Sequence, residues 1–452
     1  MALMISVSGI RGVFGLELTP EDLVRYAAAF GAWCERGKVV LGRDTRPTSV
    51  PAARIVASTL QCVGCEVVDI GVAPTPTVGV AVRAESARGG LVITASHNPP
   101  EWNALKMLGP DGAALSAQDG RSVLELARSG RLRYVPYREL GGYRKDKSHL
   151  EQHIERILAL PYLPLGAIRA RHFRIVLDAV NGAGSLALPR LLDRLGCEVI
   201  PLHCNPQEPF PHPPEPLPEH LGELMDAVLR MRADLGVAVD PDADRLALVQ
   251  EDGVYFGEEY TLVAAAAFVL RHRPGPLVAN LSTTRALEDV AAQHGQLVYR
   301  TPVGERHVIE GIRLVGAVLG GEGNGGVILP EIHEGRDALT GLALILGLLA
   351  ETGLSLSGLR AHLPRYEMIK DRLEGLPRPA LERLFEAIQQ AYAGRAEFDT
   401  RDGLKVILPD CWIHLRASNT EPIARLHVEA RTRSEAEALA QEVRRWAEAV
   451  ST

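Results

Sequence analysis

The sequence predicts an α/β chain of four domains: three related units with mixed sheets, followed by a smaller α+β unit. Two patterns predict the first three. A plan of apolar strand, helical segment, Gly and second apolar strand occurs three times, each copy having the length that a parallel βαβ crossover needs. Unbroken apolar runs such as Leu235-Gly236-Val237-Ala238-Val239 suit strands covered by helices on both faces. A third pattern predicts the last unit: after about residue 365 the chain turns to alternating strands. At ~100–200 residues per domain, 452 residues leave room for this organisation.

In chain order, the first copy runs from Val39-Val40-Leu41-Gly42-Arg43-Asp44 through a helix over 50–62 to Gly64-Cys65-Glu66-Val67-Val68. The second joins Ile175-Val176-Leu177-Asp178, a helix over 185–194, and Gly196-Cys197-Glu198-Val199-Ile200. Eight prolines between 201 and 218, densest in Phe210-Pro211-His212-Pro213-Pro214-Glu215-Pro216, predict a rigid extended loop at a domain edge. The third copy joins Leu277-Val278-Ala279-Asn280, a helix over 285–293, and Gly295-Gln296-Leu297-Val298-Tyr299. The apolar run Ala338 to Ala350 falls short of the ~18–20 residues that cross a bilayer and reads as a core helix. Strands at Trp412–Leu415 and Ile423–Glu429, then a helix from Ser434 to about Ala449, close the chain.

Hydrophobic residues at 46% and charged residues at 23% exclude a disordered, collagen-like or coiled-coil chain. With 49 Lys+Arg against 56 Asp+Glu, the net charge of −7 argues against a nucleic-acid partner, whose phosphates demand neutralisation. No membrane partner is expected. The N-terminus lacks a basic segment followed by a sustained apolar one, so a cytoplasmic location is expected. Six cysteines are too few for a disulfide scaffold, and Cys62-Val63-Gly64-Cys65 has no second pair at zinc spacing. Oligomeric state is not legible.

Four clusters carry chemistry. Thr94-Ala95-Ser96-His97-Asn98-Pro99-Pro100 follows an apolar strand, which presents Ser96 at the rim where α/β sites form; a nucleophile and a hydroxyl-stabilised turn both fit. No Gly-x-Ser-x-Gly elbow surrounds it, so an esterase is not expected. Asp240-Pro241-Asp242-Ala243-Asp244-Arg245 sets three carboxylates two residues apart, a hard-oxygen set suited to magnesium. A calcium EF-hand is disfavoured, because Arg245 stands where that loop needs Gly. Gly320-Gly321-Glu322-Gly323-Asn324-Gly325-Gly326 permits close backbone approach, with Glu322 to accept from vicinal hydroxyls; a flexible turn would read the same. Arg416-Ala417-Ser418-Asn419-Thr420-Glu421-Pro422 offers a guanidinium, hydroxyls, an amide and backbone N–H groups, either a phosphate cradle or a polar hairpin turn.

Together these clusters suggest phosphoryl transfer on a phosphorylated sugar. In their order, and over essentially the whole chain, they resemble the motifs of the α-D-phosphohexomutases, the superfamily of phosphoglucomutases, phosphomannomutases and phosphoglucosamine mutases. Ser8-Gly9-Ile10-Arg11-Gly12, Gly42-Arg43-Asp44-Thr45-Arg46 and Asp402-Gly403-Leu404-Lys405 add to the resemblance. It implies four domains around a central cleft: 1–147 with the phosphoserine, 148–254 with the metal, 255–364 with the sugar loop and 365–452 with the phosphate loop.

The resemblance also implies roles. Ser96 would carry a phosphoryl group, pass it to a hexose 1-phosphate to make a 1,6-bisphosphate, and recover the other phosphate after the intermediate turns around. Asp240, Asp242 and Asp244 would hold Mg2+ together with phosphorylated Ser96, and Arg245 would position the metal loop or the phosphoserine. Lys106, His97 and Arg11 would serve the catalytic step, Lys106 as an acid or base with a lowered pKa or as a charge partner. Glu322, Asn324 and Arg306 would bind sugar, and Arg416, Ser418, Asn419 and Thr420 the phosphate. Hexose 1,6-bisphosphate would act as intermediate and activator.

Glucose and mannose phosphates are the first substrates expected, with glucosamine phosphate as the alternative. A metal-dependent sugar phosphatase is the alternative of another class. The familiar sugar loop Gly-Glu-x-Ser-Gly-His has Asn324 and Gly326 here in place of Ser and His. Either His333 or Lys106 alone could fill the acid–base role of the missing histidine.

Overall fold

The computed structural model describes residues 3–6, 9–130, 132–417 and 423–451. Ser8 of the N-terminal motif, and Ser418, Asn419, Thr420, Glu421 and Pro422 of the phosphate loop, lie outside the described residues.

All three predicted crossovers form, and each joins two parallel neighbours. Val39–Arg43 pairs with Val67–Val72, Arg174–Asp178 with Glu198–His203, and Leu277–Asn280 with Val298–Thr301. In every unit a third parallel strand then lies on the other side of the first: Gly89–Ile93, Leu235–Val239 and Leu319–Glu322. Each of these turns straight back into an antiparallel neighbour: Trp102–Leu108, Leu246–Gln250 and Gly326–Ile328. The first sheet extends to seven strands by adding Gly9–Val13, Met4–Ser6 and Tyr143–Lys145; the other two have four each.

Beyond residue 366 the sheet is wholly antiparallel, in the order Glu367–Glu374, Ile423–Ala430, Trp412–Ala417, Leu404–Ile407, Glu397–Asp399. Helices Arg378–Ala391 and Arg433–Ser451 accompany it.

The hydrophobic cores do not map one to one onto these sheets. The first sheet packs around Ile10 to Ala127, and the last around Ile369 to Ala447. The second and third share one continuous core that runs from Leu150 to Tyr366. Helix Ala338–Thr352 is buried along almost its entire length, and contributes Leu339, Leu342, Leu346 and Leu349 to that core. Among the described residues no single helix is long and apolar enough to cross a membrane. Cys65 follows the left-handed Gly64 that caps helix Ser49–Val63 and is buried, while Cys62 is exposed; the pair serves the crossover.

The junction of the third and fourth sheets buries a charge. Lys405 is 4% exposed, its Nζ donates to the Leu281 carbonyl at 2.5 Å, and it lies 4.2 Å from the centre of the Trp412 ring. Burial, aided by Arg300, pulls its pKa down from 10.5 to about 7. Between those two values the unfolded chain binds a proton that the folded chain does not, so this group makes stability rise with pH over that window. Below about 7 the burial cost is fully present, and above 10.5 it is gone. In urea unfolding followed across the window, wild type should therefore gain on Lys405→Met as pH rises; parallel curves would contradict the buried ammonium.

Candidate active site

Three of the four clusters found in the sequence occupy the same place in their respective sheets. The Ser96 loop, the Asp240–Asp244 loop and the glycine loop each link the third parallel strand to its antiparallel return. The fourth lies between the antiparallel pair Trp412–Ala417 and Ile423–Ala430. Hairpin ends project from a sheet, so four such ends on adjoining sheets can surround one cleft.

Ser96 is 3% exposed, with φ at 51°, a left-handed conformation that a non-glycine residue rarely adopts. Its N–H donates to Thr94 Oγ1 at 3.0 Å, so the turn is stabilised by the Thr94 hydroxyl and not by that of Ser96, whose Oγ acts elsewhere. Beneath the loop lies Arg46, fully buried, whose Nη2 donates to the Ser96 carbonyl at 2.7 Å and also to that of Asn98. Asp44 holds Arg46 at 2.5 Å and accepts from Ser49 Oγ at 2.6 Å.

Ser96 Oγ donates to Asp240 Oδ2 at 2.6 Å, across the boundary between the first and second sheets. Asp240, Asp242 and Asp244 are each at most 1% exposed, and one oxygen from each lies within 4.8 Å of the others. Asp242 Oδ1 and Asp244 Oδ1 are buried with no hydrogen-bond partner among the described residues. Burial and the two neighbouring carboxylates push Asp240 well above its ordinary range. Orphaned oxygens and mutual repulsion mark a set that fits a hard divalent cation such as magnesium.

Lys106 and Arg336 are the protein's own counter-charges here. Lys106 Nζ lies 2.6 Å from Asp242 Oδ2 and 3.5 Å from Asp244 Oδ2. Burial alone would lower Lys106, but these carboxylates outweigh it and hold the ammonium above its ordinary value. The lowered pKa expected from the sequence is thus corrected: opposite charge wins over desolvation. Arg336 spans two loops, with Nη2 at 2.8 Å from Asp244 Oδ2 and Nη1 at 3.0 Å from Glu322 Oε2.

His97 Nδ1 stands 3.4 Å from Ser96 Oγ. Burial and the surrounding cations Arg245, Arg11, Arg336 and Lys106 depress it well below 6.5, so the imidazole is neutral at pH 7. Arg11 Nη1 donates to Asn98 Oδ1 at 2.8 Å. The Arg245 side chain pairs with Glu215 of the proline-rich loop at 3.0 Å and its backbone N–H donates to Asp240 Oδ1 at 3.2 Å, while its charge also acts on Asp240 and His97.

Glu322 is held more tightly than its sequence suggests, because Oε1 accepts from Asn280 Nδ2 at 2.9 Å and from Gly304 N–H at 3.1 Å. A Cβ on Gly323 would overlap the Glu259 carboxylate, which is the packing reason for glycine there. Asn324 lines the cleft. Arg306 does not, since it donates to the Ala114 carbonyl at 2.7 Å and to Glu310 at 3.0 Å. His333 is 3% exposed, packed against Gly79 and Gly335, and burial lowers it to about 4, so its place is in the core and the acid–base role suggested for it is corrected.

A cavity of about 540 Å³ opens between these loops and the last sheet, a size suited to a small ligand. His97, Glu322 and Asn324 line one side, and Arg416, Arg425, His427, Lys370 and Arg372 the other. Lys370, which sequence reasoning missed, donates to the Gly323 carbonyl at 3.1 Å and so ties the last sheet to the glycine loop. A larger cavity of about 820 Å³ lies beside Tyr260 and Tyr366; His97, Glu322, Asn324 and Arg416 line the smaller cavity and not this one.

A buried serine beside an acidic trio, next to a cleft with cationic side chains on its wall, is an arrangement that suits phosphoryl transfer on a four-part α/β scaffold. Four domain families match in sequence: phosphoglucomutase/phosphomannomutase α/β/α domain I at residues 3–133, domain II at 151–253, domain III at 257–366, and the C-terminal domain at 373–445. The chain is 39% identical to the probable phosphoglucosamine mutase of Methanopyrus kandleri, over 100% of both chains. It is 37% identical to the phosphoglucomutase/phosphomannomutase of Thermococcus kodakarensis, over 96% of each. A crystal structure of a phosphoglucomutase/phosphomannomutase family protein from Burkholderia thailandensis superposes with a TM-score of 0.85 at 28% identity, covering 99% of this chain and 98% of that one. The chain belongs to the α-D-phosphohexomutase superfamily and is a phosphohexomutase, an isomerase.

Proposed function

We propose that this chain interconverts hexose 1-phosphate and hexose 6-phosphate through a phosphorylated Ser96 and a hexose 1,6-bisphosphate, with glucose and mannose as the sugars. The observation that supports it is Ser96 Oγ at 2.6 Å from a buried Asp240, in a trio with carboxylate oxygens left unpaired. Asp240, Asp242 and Asp244 would hold Mg2+, whose chemistry is to offset charge on the phosphoryl group in transfer.

The residues of the chain do the rest. The P–Oγ bond of phosphorylated Ser96 breaks as a bond forms to the free sugar hydroxyl, whose proton must leave. Neutral His97, 3.4 Å from Ser96 Oγ, would accept that proton and return one to the departing Oγ, while the Lys106 ammonium beside Asp242 would offset the negative charge. Arg416, with Ser418, Asn419 and Thr420, would hold the distal phosphate, and Glu322 with Asn324 the hydroxyls between. Once the bisphosphate has turned around, its other phosphoryl group returns to Ser96 Oγ, leaving the isomer. The positioning of Arg11 and Arg245 supports the charge balance around the serine.

Glucosamine phosphate is the second reading. It is favoured by the name of the Methanopyrus kandleri relative and by Glu219 on the cavity wall, which would suit a sugar ammonium. Side-by-side kcat/KM for glucose, mannose and glucosamine 1-phosphates, started with a trace of the matching bisphosphate, decides between them. The first reading expects the neutral sugars to lead; glucosamine 1-phosphate ahead by tenfold or more, about 1.4 kcal/mol in transition-state binding, would replace it.

Asp242→Asn should raise the magnesium concentration for half-maximal activity by at least about 10- to 100-fold, the size of effect that even outer-shell changes produce. Sugar-phosphate binding should move far less. An unaltered magnesium titration would remove the trio from the proposal.

A further inference from the structure

Asp178 ends the central strand of the second sheet and stands in register beside His203 on the neighbouring strand. His212 reaches the same point from the proline-rich loop. One donor atom from each of the three lies within 4.8 Å of the others. None of them takes part in the phosphoryl-transfer site.

The imidazole of His212 faces an oxygen at each nitrogen: Pro213 carbonyl 2.9 Å from Nδ1, and Asp178 Oδ2 3.0 Å from Nε2. A neutral ring has one N–H, so one of these contacts would set a lone pair against an oxygen. A positive centre between Nε2 and the carboxylate resolves the conflict, and either a proton or a metal ion can supply it.

Three features favour the metal ion. Two imidazoles and a carboxylate form the three-ligand set of an open zinc-type site, whereas magnesium prefers oxygen donors. Outer partners are in place: the Pro213 carbonyl takes the other N–H of His212, and Glu223 Oε2 lies 3.3 Å from His203 Nε2. Access fits as well, since Asp178 is 2% exposed while both histidine side chains are 17% exposed, which leaves water room for a further coordination position.

We propose that Asp178, His203 and His212 bind a divalent transition-metal ion of the zinc class, which fastens the proline-rich loop to the second sheet. The loop has two further attachments at the cleft. Phe210 lies under the Arg46 guanidinium at 4.9 Å, and Glu215 meets Arg245 at 3.0 Å and stands 3.9 Å from His97. The ion thus fixes the end of a rigid strap that lays a carboxylate beside the phosphoserine loop.

The test uses the full-length protein, stripped with chelator, kept in saturating Mg2+ to occupy the aspartate trio, and titrated with Co2+. Expected is one Co2+ per chain that magnesium does not displace, with the visible absorption of nitrogen-ligated cobalt. His212→Gln and Asp178→Asn should weaken this binding by at least about 100-fold, while Asp242→Asn should retain it. Zn2+ should raise the Tm of wild type but not that of His212→Gln, whose fold is checked by circular dichroism because the residue lies in a loop. Absence of a Co2+ site resistant to magnesium would show that a proton alone bridges the pair and overturn the proposal, as would an absorption unchanged in His212→Gln.

Discussion

Ser96→Ala is expected to lose the mass of one phosphoryl group and to lower mutase kcat by about 10⁴-fold or more, the scale seen when a covalent nucleophile is removed. The geometry makes the change selective. Removal of Oγ deletes the 2.6 Å bond to Asp240 but leaves the loop's anchors intact, because Thr94 binds the Ser96 backbone N–H and Arg46 its carbonyl. The variant should fold and bind hexose phosphates while failing to isomerise them. Intact-mass spectrometry and a coupled assay read both effects, and a variant that still turned over would end the phosphoserine assignment.

Arg336→Met should have the next largest effect, on stability as well as on catalysis. One guanidinium, 12% exposed, neutralises the buried Asp244 and Glu322 at 2.8 and 3.0 Å, and Glu305 stands 3.7 Å away. Removing one partner of a buried charge group typically costs about 3–5 kcal/mol, since the remaining carboxylates keep their burial without a counter-charge. The two loops it joins belong to different sheets, so their relative placement should loosen, and misplacement on the ångström scale lowers kcat/KM on the order of 100-fold. Arg336→Lys should rescue little, because an ammonium cannot present two N–H directions to two carboxylates. A melting curve together with kcat/KM measures both; an unchanged kcat/KM would mean that the loops keep their spacing without it.

Much of this architecture is legible in the sequence because the determinants are local. The crossover of Val39–Arg43 and Val67–Val72 follows from apolar runs, an intervening helix and Gly64 at its left-handed cap. The metal loop is legible for the same reason, since its three carboxylates lie within five residues. Arg336 and Glu215 were missed because nothing near them in sequence signals a site. Arg336 acquires its role only where the second and third sheets meet, and Glu215 only where a loop of the second sheet folds back toward the first. Arg46 stood within a matched motif, but its carbonyl partners lie some fifty positions along the chain. The direction of the Lys106 shift was likewise beyond sequence reading, for it depends on which of two opposing effects the distances favour.

The continuous core from Leu150 to Tyr366 has a mechanical consequence. Two sheets that share their oily interior cannot hinge against each other without exposing it, so, with Arg336 tying their loops, the aspartate trio and Glu322 travel as one rigid jaw. Any breathing of the enzyme must come from the outlying lobes, the first and the last, each of which keeps an interior of its own.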